Sequence, residues 1–292
     1  MFSYDMPLYR PPSEGNNLII QATLGCHFNQ CSFCSMYKGK QFQARPLEQV
    51  FAEIDQAAGL WPDAQRVFLA DGDALTLPAG HLLQLLEHLQ KRFPRLARVA
   101  CYANPSDILH KSDSELEQMR ENRLTLLYVG IESGSPVILK KIRKGASPRS
   151  IQAALEKAQQ AALKVSATVI LGLGGRQYWE PHIDGTVDLL GRAPVNYLST
   201  LQLFLEPEAE RGFLEKFGEP FVAQDDYGVL LEQRRLLAGI EPPKPVIFRS
   251  NHASNALALA GNLPRDRSQL LQMIDQALQG NGRIRPDYLR RL

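Results

Sequence analysis

Six short apolar runs, each followed by a stretch with helical periodicity, recur along residues 18–206, and that rhythm limits the fold more than any other feature. The runs lie at about 18–23, 66–70, 97–103, 124–131, 165–171 and 198–205. Each has strand length, and most are nearly continuous in apolar residues, as strands buried on both faces are. Between them fall stripes at helical spacing. Leu47, Val50, Phe51, Ile54 and Ala58 follow Pro46; Leu82, Leu83, Leu85, Leu86 and Leu89 come next. Ser112 and Glu115 form a capping box that opens a third helix. Ile151, Ala154, Leu155, Ala158 and Ala162 mark a fourth, and a less regular one covers about 179–191. Strand–helix alternation implies a parallel sheet with right-handed crossovers. Charged or glycine-rich residues close nearly every strand. The expected fold is therefore α/β, a partial (β/α)6 TIM-like barrel with its site at the C-terminal rim of the strands. An open doubly wound sheet would give a similar order of elements.

The alternation stops at 207. The expected domains are an N-terminal arm over 1–17, the barrel core over 18–206, and a mainly helical extension over 207–292 that covers the barrel. In the arm Pro7, Pro11 and Pro12 discourage helix. The extension contains a short apolar piece, Val246-Ile247-Phe248, and an amphipathic stretch at about 266–279.

Three of the four cysteines, Cys26, Cys31 and Cys34, fall within nine residues directly behind the first strand. That clustering is not a secreted disulfide framework, and it points to a reducing cytoplasm. No apolar run approaches the ~18–20 residues that span a bilayer, so no membrane partner is expected. A net charge of +2 gives no reason to expect a nucleic-acid binder. Three thiolates are one short of the four that close an ordinary iron–sulfur cluster, which leaves one iron open for a ligand. The same three cysteines with His27 would also suit a zinc site with one open position.

A three-cysteine loop after the first strand of a six-fold βα chain, with Phe33 just before the last cysteine, resembles the radical S-adenosylmethionine enzymes. The commonest spacing in that superfamily has three residues in the first gap, and this chain has four. The resemblance implies that Cys26, Cys31 and Cys34 hold one [4Fe–4S] cluster whose fourth iron binds S-adenosylmethionine. Reductive cleavage would then give a 5′-deoxyadenosyl radical that abstracts hydrogen from a substrate. The turn Asp71-Gly72-Asp73 stands where the family has a motif bonding the methionine amino group, so Asp73 is the expected acceptor. An ordinary Asp-Gly turn is the competing reading.

Gly130-Ile131-Glu132-Ser133-Gly134 resembles the fourth-strand motif of the branch containing the methylthiotransferases and the elongator acetyltransferase. There the carboxylate, here Glu132, is placed for a ribose hydroxyl. Lys144 matches a basic position that pairs with the cofactor carboxylate, with a solvated lysine as its alternative. Val169 to Gly175, with Gly172 and Gly174, resembles the fifth-strand motif that packs the adenine. Asn104, in Tyr102-Ala103-Asn104-Pro105, resembles part of a Glu-x-Asn-Pro stretch of the oxygen-independent coproporphyrinogen oxidases, with tyrosine in place of the glutamate. Cys101 reads as a small buried strand residue.

The resemblance further implies a low-potential electron donor, such as flavodoxin or ferredoxin, and a substrate that is a small molecule or RNA. The run Lys140, Lys141, Arg143, Lys144 and the tail residues Arg283, Arg285, Arg290 and Arg291 permit RNA, although such runs are usually solvated. Two other classes stay open: a non-catalytic haem or iron–sulfur carrier on the same barrel, and a zinc-stabilised module acting on RNA. His252, within Ser250 to Asn255, is expected either in a helix cap formed with Ser254 or Asn251, or in contact with substrate.

Overall fold

The structure, a computed structural model, describes residues 4–282 and 284–290. Arg283 and Arg291 of the expected basic tail lie outside the described residues. The principal sheet has eight strands that follow one another in chain order: β1 (Leu18–Gln21), β2 (Arg66–Ala70), β3 (Arg98–Ala103), β4 (Leu124–Glu132), β5 (Lys164–Leu171), β6 (Tyr197–Gln202), β7 (Val246–Ser250) and β8 (Leu259–Leu263). The pairs β1–β2, β2–β3, β3–β4, β5–β6 and β6–β7 are parallel, and β7–β8 is antiparallel. This mostly parallel α/β sheet is the partial TIM-like arrangement that the alternation predicts.

The chain forms two compact units. One comprises residues 4–29, 36–129 and 157–165; the other comprises 30–35, 130–156 and 166–290.

In the first unit, α1 (Leu47–Leu60) buries Val50, Ile54 and Ala57, and α2 (Ala79–Arg92) buries Leu82, Leu85, Leu86 and Leu89. These match the stripes read from the sequence in part: Leu47, Phe51, Ala58 and Leu83 are only half-buried, and Ala57 takes a core position in place of Ala58. A short helix, α3 (Pro105–His110), precedes α4 (Asp113–Glu121), whose capping box forms as expected. Ser112 Oγ accepts from the Glu115 backbone at 3.2 Å, and Glu115 accepts from the Ser112 backbone at 2.6 Å. The arm is tied down by its polar side chains. Glu14, fully buried, accepts from Arg98 and from the Tyr128 hydroxyl, each at 2.6 Å.

The second unit holds α5 (Pro136–Lys141), α7 (Gly175–Arg192), α8 (Pro207–Phe217), α9 (Asp226–Gly239) and α10 (Arg267–Leu278), while α6 (Pro148–Gln160) runs from 148 through the boundary at 156/157. Helix α7 begins four residues before the predicted start, with a kink at Tyr178 and Pro181 inside it. The region expected to be mainly helical also carries β7 and β8. Val246-Ile247-Phe248 is short for a strand by itself, but it pairs with the free side of β6, and β8 closes the edge by a hairpin.

Candidate functional site

The first half of the cysteine loop is built on the turn that follows β2. Asp71 is fully buried, and its carboxylate accepts from Gln21 Nε2 at 3.0 Å, from the Gly25 backbone at 2.9 Å and from Lys40 Nζ at 3.2 Å. Its own N–H donates to Thr23 Oγ1 at 3.0 Å. Gly72 donates to the Gly25 carbonyl at 3.0 Å. A Cβ at Gly72 would lie 2.7 Å from Cys26 Cβ and 2.9 Å from the Tyr37 ring, so only glycine fits there.

Asp73, also fully buried, accepts from the His27 backbone at 2.9 Å through one oxygen. Its other oxygen accepts from Asn104 Nδ2 at 3.0 Å, with the Phe28 N–H at 3.4 Å and the Cys26 thiol at 3.6 Å beside it. Loop N–H groups need acceptors wherever water is excluded, and the two aspartates supply them. Burial pushes the Asp73 carboxyl up to about 6 despite these donors, with the Asp107 carboxylate adding to the rise. Asp71 is raised by burial too, against the pull of Gly25, Gln21 and Lys40. Asp73 and Asn104, two expected site residues, thus meet at Cys26.

In the second unit the other two cysteines lie in Cys31-Ser32-Phe33-Cys34. All three residues of Cys31, Phe33 and Cys34 are half-buried. The Ser32 N–H donates to the Ile142 carbonyl at 2.9 Å, which holds this segment to the end of α5. Lys144 follows that end. It is 6% exposed, so the solvated alternative does not hold. Its ammonium donates to Glu132 Oε1 at 3.2 Å and faces Cys31 and Cys34. Burial works against the Lys144 charge, but Glu132 and the two cysteines outweigh it and hold the pKa above the ordinary lysine value.

Glu132 ends β4 with φ +61°, a left-handed conformation that few residues with a side chain adopt. Its carboxylate folds back over Gly130, where a Cβ would meet Oε1 at 2.0 Å. Burial raises the Glu132 carboxyl, and Lys144 offsets part of that. Glu132 Oε2 is buried and has no hydrogen-bond partner among the described residues. An orphaned buried acceptor beside a lysine that faces two thiols is a place for a ligand.

The turn after Glu132 is welded to α7. Ser133 Oγ lies 2.8 Å from His182 Nδ1, and His182 Nε2 lies 3.0 Å from the Ile170 carbonyl. The carbonyl assigns the proton to Nε2, so Nδ1 accepts from Ser133. Burial holds His182 down to about 4, hence neutral. The Gly134 N–H donates to Thr186 Oγ1 at 2.8 Å.

β5 ends in the glycine turn. Gly172 has φ +85°, and Gly175 donates back to the Gly172 carbonyl at 3.0 Å. A Cβ at Gly174 would lie 2.6 Å from the Tyr178 carbonyl. The Gly172 N–H donates to Glu232 on α9 at 2.6 Å.

Sequence reading passed over Lys40, His182 and Glu232, and took Asp71 only as part of an Asp-Gly turn. His182 and Glu232 carried a usable signal, since each is a polar residue on the buried stripe of its helix: His182 beside Ile183, Thr186, Leu189 and Leu190, and Glu232 beside Val229, Gln233, Leu236 and Leu237.

The expected helix cap around His252 is corrected. No helix starts there; the segment joins β7 to β8. His252 Nδ1 takes the Ser254 hydroxyl at 2.9 Å, and Arg285 donates to the carbonyls of His252 and Ala253. Asn255 instead caps a strand: it donates to the Thr200 carbonyl and accepts from the Gln202 N–H at the end of β6. Of the basic runs, Lys140 and Arg143 are exposed, whereas Lys141, Lys144, Arg285 and Arg290 are engaged. Lys141 pairs with Glu219, and Arg290 holds Asp226 with both arms of its guanidinium, at 2.6 and 2.7 Å.

In each unit polar or glycine-rich residues follow the C-terminal ends of strands, Asp73 and Asn104 after β2 and β3 in one, Glu132 and the Gly172 turn at β4 and β5 in the other, which is where α/β proteins with parallel strands carry their chemistry. The sequence model of the Radical SAM superfamily matches residues 20–187, more than half of the chain. The chain belongs to that superfamily. Among curated proteins it is similar to an uncharacterised methyltransferase of Pyrococcus horikoshii, at 24% identity over 67% of this chain and 41% of that protein. It is also similar to the hopanoid C-2 methylase of Rhodopseudomonas palustris, at 30% identity over 49% of this chain and 28% of that protein. The chain spans less than half the length of either relative. Among solved structures, coproporphyrinogen III oxidase of Escherichia coli superposes with a TM-score of 0.52, at 14% identity, covering 92% of this chain and 70% of that one. That likeness is one of fold.

Proposed function

We propose that this chain is an enzyme whose Cys26, Cys31 and Cys34 hold one [4Fe–4S] cluster and which uses S-adenosylmethionine to abstract hydrogen from a substrate. The observation that carries this reading is the set of three thiols within nine residues of a superfamily member, two of them facing the buried Lys144. The donor set suits such a cluster: three sulfur ligands and a cation that offsets the charge gathered on them. When bound, the cluster supplies the electron that cleaves the sulfonium to methionine and a 5′-deoxyadenosyl radical.

This chain's residues bind and orient. Lys144 is the charge partner for the cofactor carboxylate, and Glu132 Oε2 is an acceptor for a ribose hydroxyl. The Gly172 to Gly174 backbone packs the adenine, and Phe33 shields the loop between two ligands. Asp73 and Asn104 act at the Cys26 side: their hydrogen bonds go to the loop and to each other, so they set its shape as well as offering an acceptor near the methionine end. The proposed layout is an arm over 1–17, a barrel core over 18–206 and a covering extension over 207–292, working in the cytoplasm. The partners are a low-potential electron donor such as flavodoxin or ferredoxin, and a substrate that is a small molecule or RNA.

Anaerobic reconstitution tests the cluster assignment. Iron and sulfide contents matching one [4Fe–4S] cluster per chain, with the iron lost on replacing any one of the three cysteines by alanine, are expected. Undiminished iron in all three variants would refute it.

A further inference from the structure

Glu232 is a carboxylate that the proposed chemistry does not use. It sits on α9, beyond residues 20–187 that the superfamily model matches, and it is fully buried. Its partners are neutral donors: the Gly172 N–H at 2.6 Å and Gln224 Nε2 at 3.3 Å. Among the described residues no cation forms an ion pair with it, and burial pushes its carboxyl up to about 7. Burying a carboxylate without a counter-charge is costly, and a neutral acceptor would have satisfied one N–H. What a carboxylate adds is a shorter and stronger bond to that one N–H.

The surrounding segment is shaped to the same turn. The Arg176 N–H donates to the Val222 carbonyl at 2.8 Å, and Gln177 donates to the Pro220 carbonyl at 2.8 Å. At Gly175, φ is +54° and a Cβ would lie 2.8 Å from the Val222 carbonyl, so the approach needs glycine. Gly228 lets Gln224 lie against the first turn of α9, because a Cβ there would meet Gln224 Oε1 at 2.1 Å. The chain over 220–232 therefore packs on the glycine turn at Val222, Pro220 and Glu232.

We infer that Glu232 is a positioning residue for the nucleoside half of S-adenosylmethionine, acting through the Gly172 N–H to fix the Gly172–Gly175 turn. The inference rests on the proposed cofactor reading and deepens it: a segment outside the superfamily core completes the adenine side of the site.

The test uses cluster-loaded protein and two probes, S-adenosylhomocysteine, which carries adenine, and methionine, which does not. Binding of each is measured for wild type, Glu232→Leu and Glu232→Gln, with hydrogen exchange followed over residues 170–178. Glu232→Leu is expected to weaken S-adenosylhomocysteine by roughly tenfold, the size of one lost hydrogen bond, with methionine affinity unchanged and the turn exchanging faster. Glu232→Gln keeps an acceptor and is expected to recover most of the loss. Unchanged S-adenosylhomocysteine affinity in Glu232→Leu would overturn the inference alone, and so would an equal loss of both probes. Should Glu232→Leu not fold, Glu232→Met, which keeps the length of the side chain without an acceptor, carries the same comparison, and an affinity for the adenine-bearing probe equal to that of wild type would overturn it. Wild-type protein that carries the cluster and binds neither probe would overturn the cofactor reading, and the inference with it.

Discussion

Asp71 and Asp73 grip the same loop from one turn, and the consequences of removing either are specific. Asp73→Ala leaves the His27 N–H and Asn104 Nδ2 without their acceptor in a buried place. A cost of about 2–4 kcal/mol is expected from two unsatisfied groups, together with a lower iron content after reconstitution. Full iron and an unchanged denaturation midpoint would show that the turn does not shape the loop. The Lys144–Glu132 pair gives a second residue-scale prediction. Lys144→Met strands a buried carboxylate and is expected to destabilise by about 3–5 kcal/mol at neutral pH, while Lys144→Met with Glu132→Gln recovers most of it. Equal stability of the single and double variants would contradict the pairing. At this scale short motifs pointed to the cysteines, Glu132, Lys144 and Asn104 as candidates. Asp71 was visible only as half of an Asp-Gly turn, because nothing in a sequence says which N–H groups a carboxylate will meet.

Helix α9 carries an acid into the core, and this fixes a pH dependence. Glu232 has a folded pKa of about 7, raised above the ordinary glutamate value of about 4.3 that the unfolded chain has. A raised acid contributes stability that is fully present below the unfolded pKa and is lost as pH rises through the folded one. Wild type is therefore expected to lose stability relative to Glu232→Gln between pH 5 and pH 8, by an amount on the order of 2–3 kcal/mol. Parallel denaturation of the two proteins at both pH values checks this, and a constant difference between them would contradict it. Elements with long stripes, such as α1, α2 and α6, were legible because apolar spacing alone sets the buried face. The start of α7 was missed because Gly172 to Gly175 read as the turn that closes the strand, yet the helix begins at Gly175 and runs on with a kink at Tyr178.

The whole sheet is longer than six alternations imply. The eight-stranded order in chain sequence adds β7 and β8, and the five-residue β7 was hidden because a strand that short is defined by the edge it joins. Two arginines then fasten the end of the described chain to the same region. Arg285 donates to the carbonyls of His252, Ala253 and Asn255, and Arg290 grips Asp226 at the start of α9. Arg285→Ala is expected to lower stability by about 1–2 kcal/mol in denaturant titration, through three carbonyls losing one donor. No change would mean that this strap contributes nothing to the fold. A basic tail read from composition as a solvated face is, at these two positions, an internal tie.

The central claim is that the three-cysteine loop supports reductive cleavage of S-adenosylmethionine. The direct measurement is anaerobic: cluster-loaded protein with dithionite and S-adenosylmethionine, and 5′-deoxyadenosine quantified by mass spectrometry beside Cys34→Ala. The account predicts 5′-deoxyadenosine from wild type and none from the variant. A wild type that holds its cluster and binds S-adenosylmethionine but yields no 5′-deoxyadenosine, or equal yields from both proteins, would contradict it.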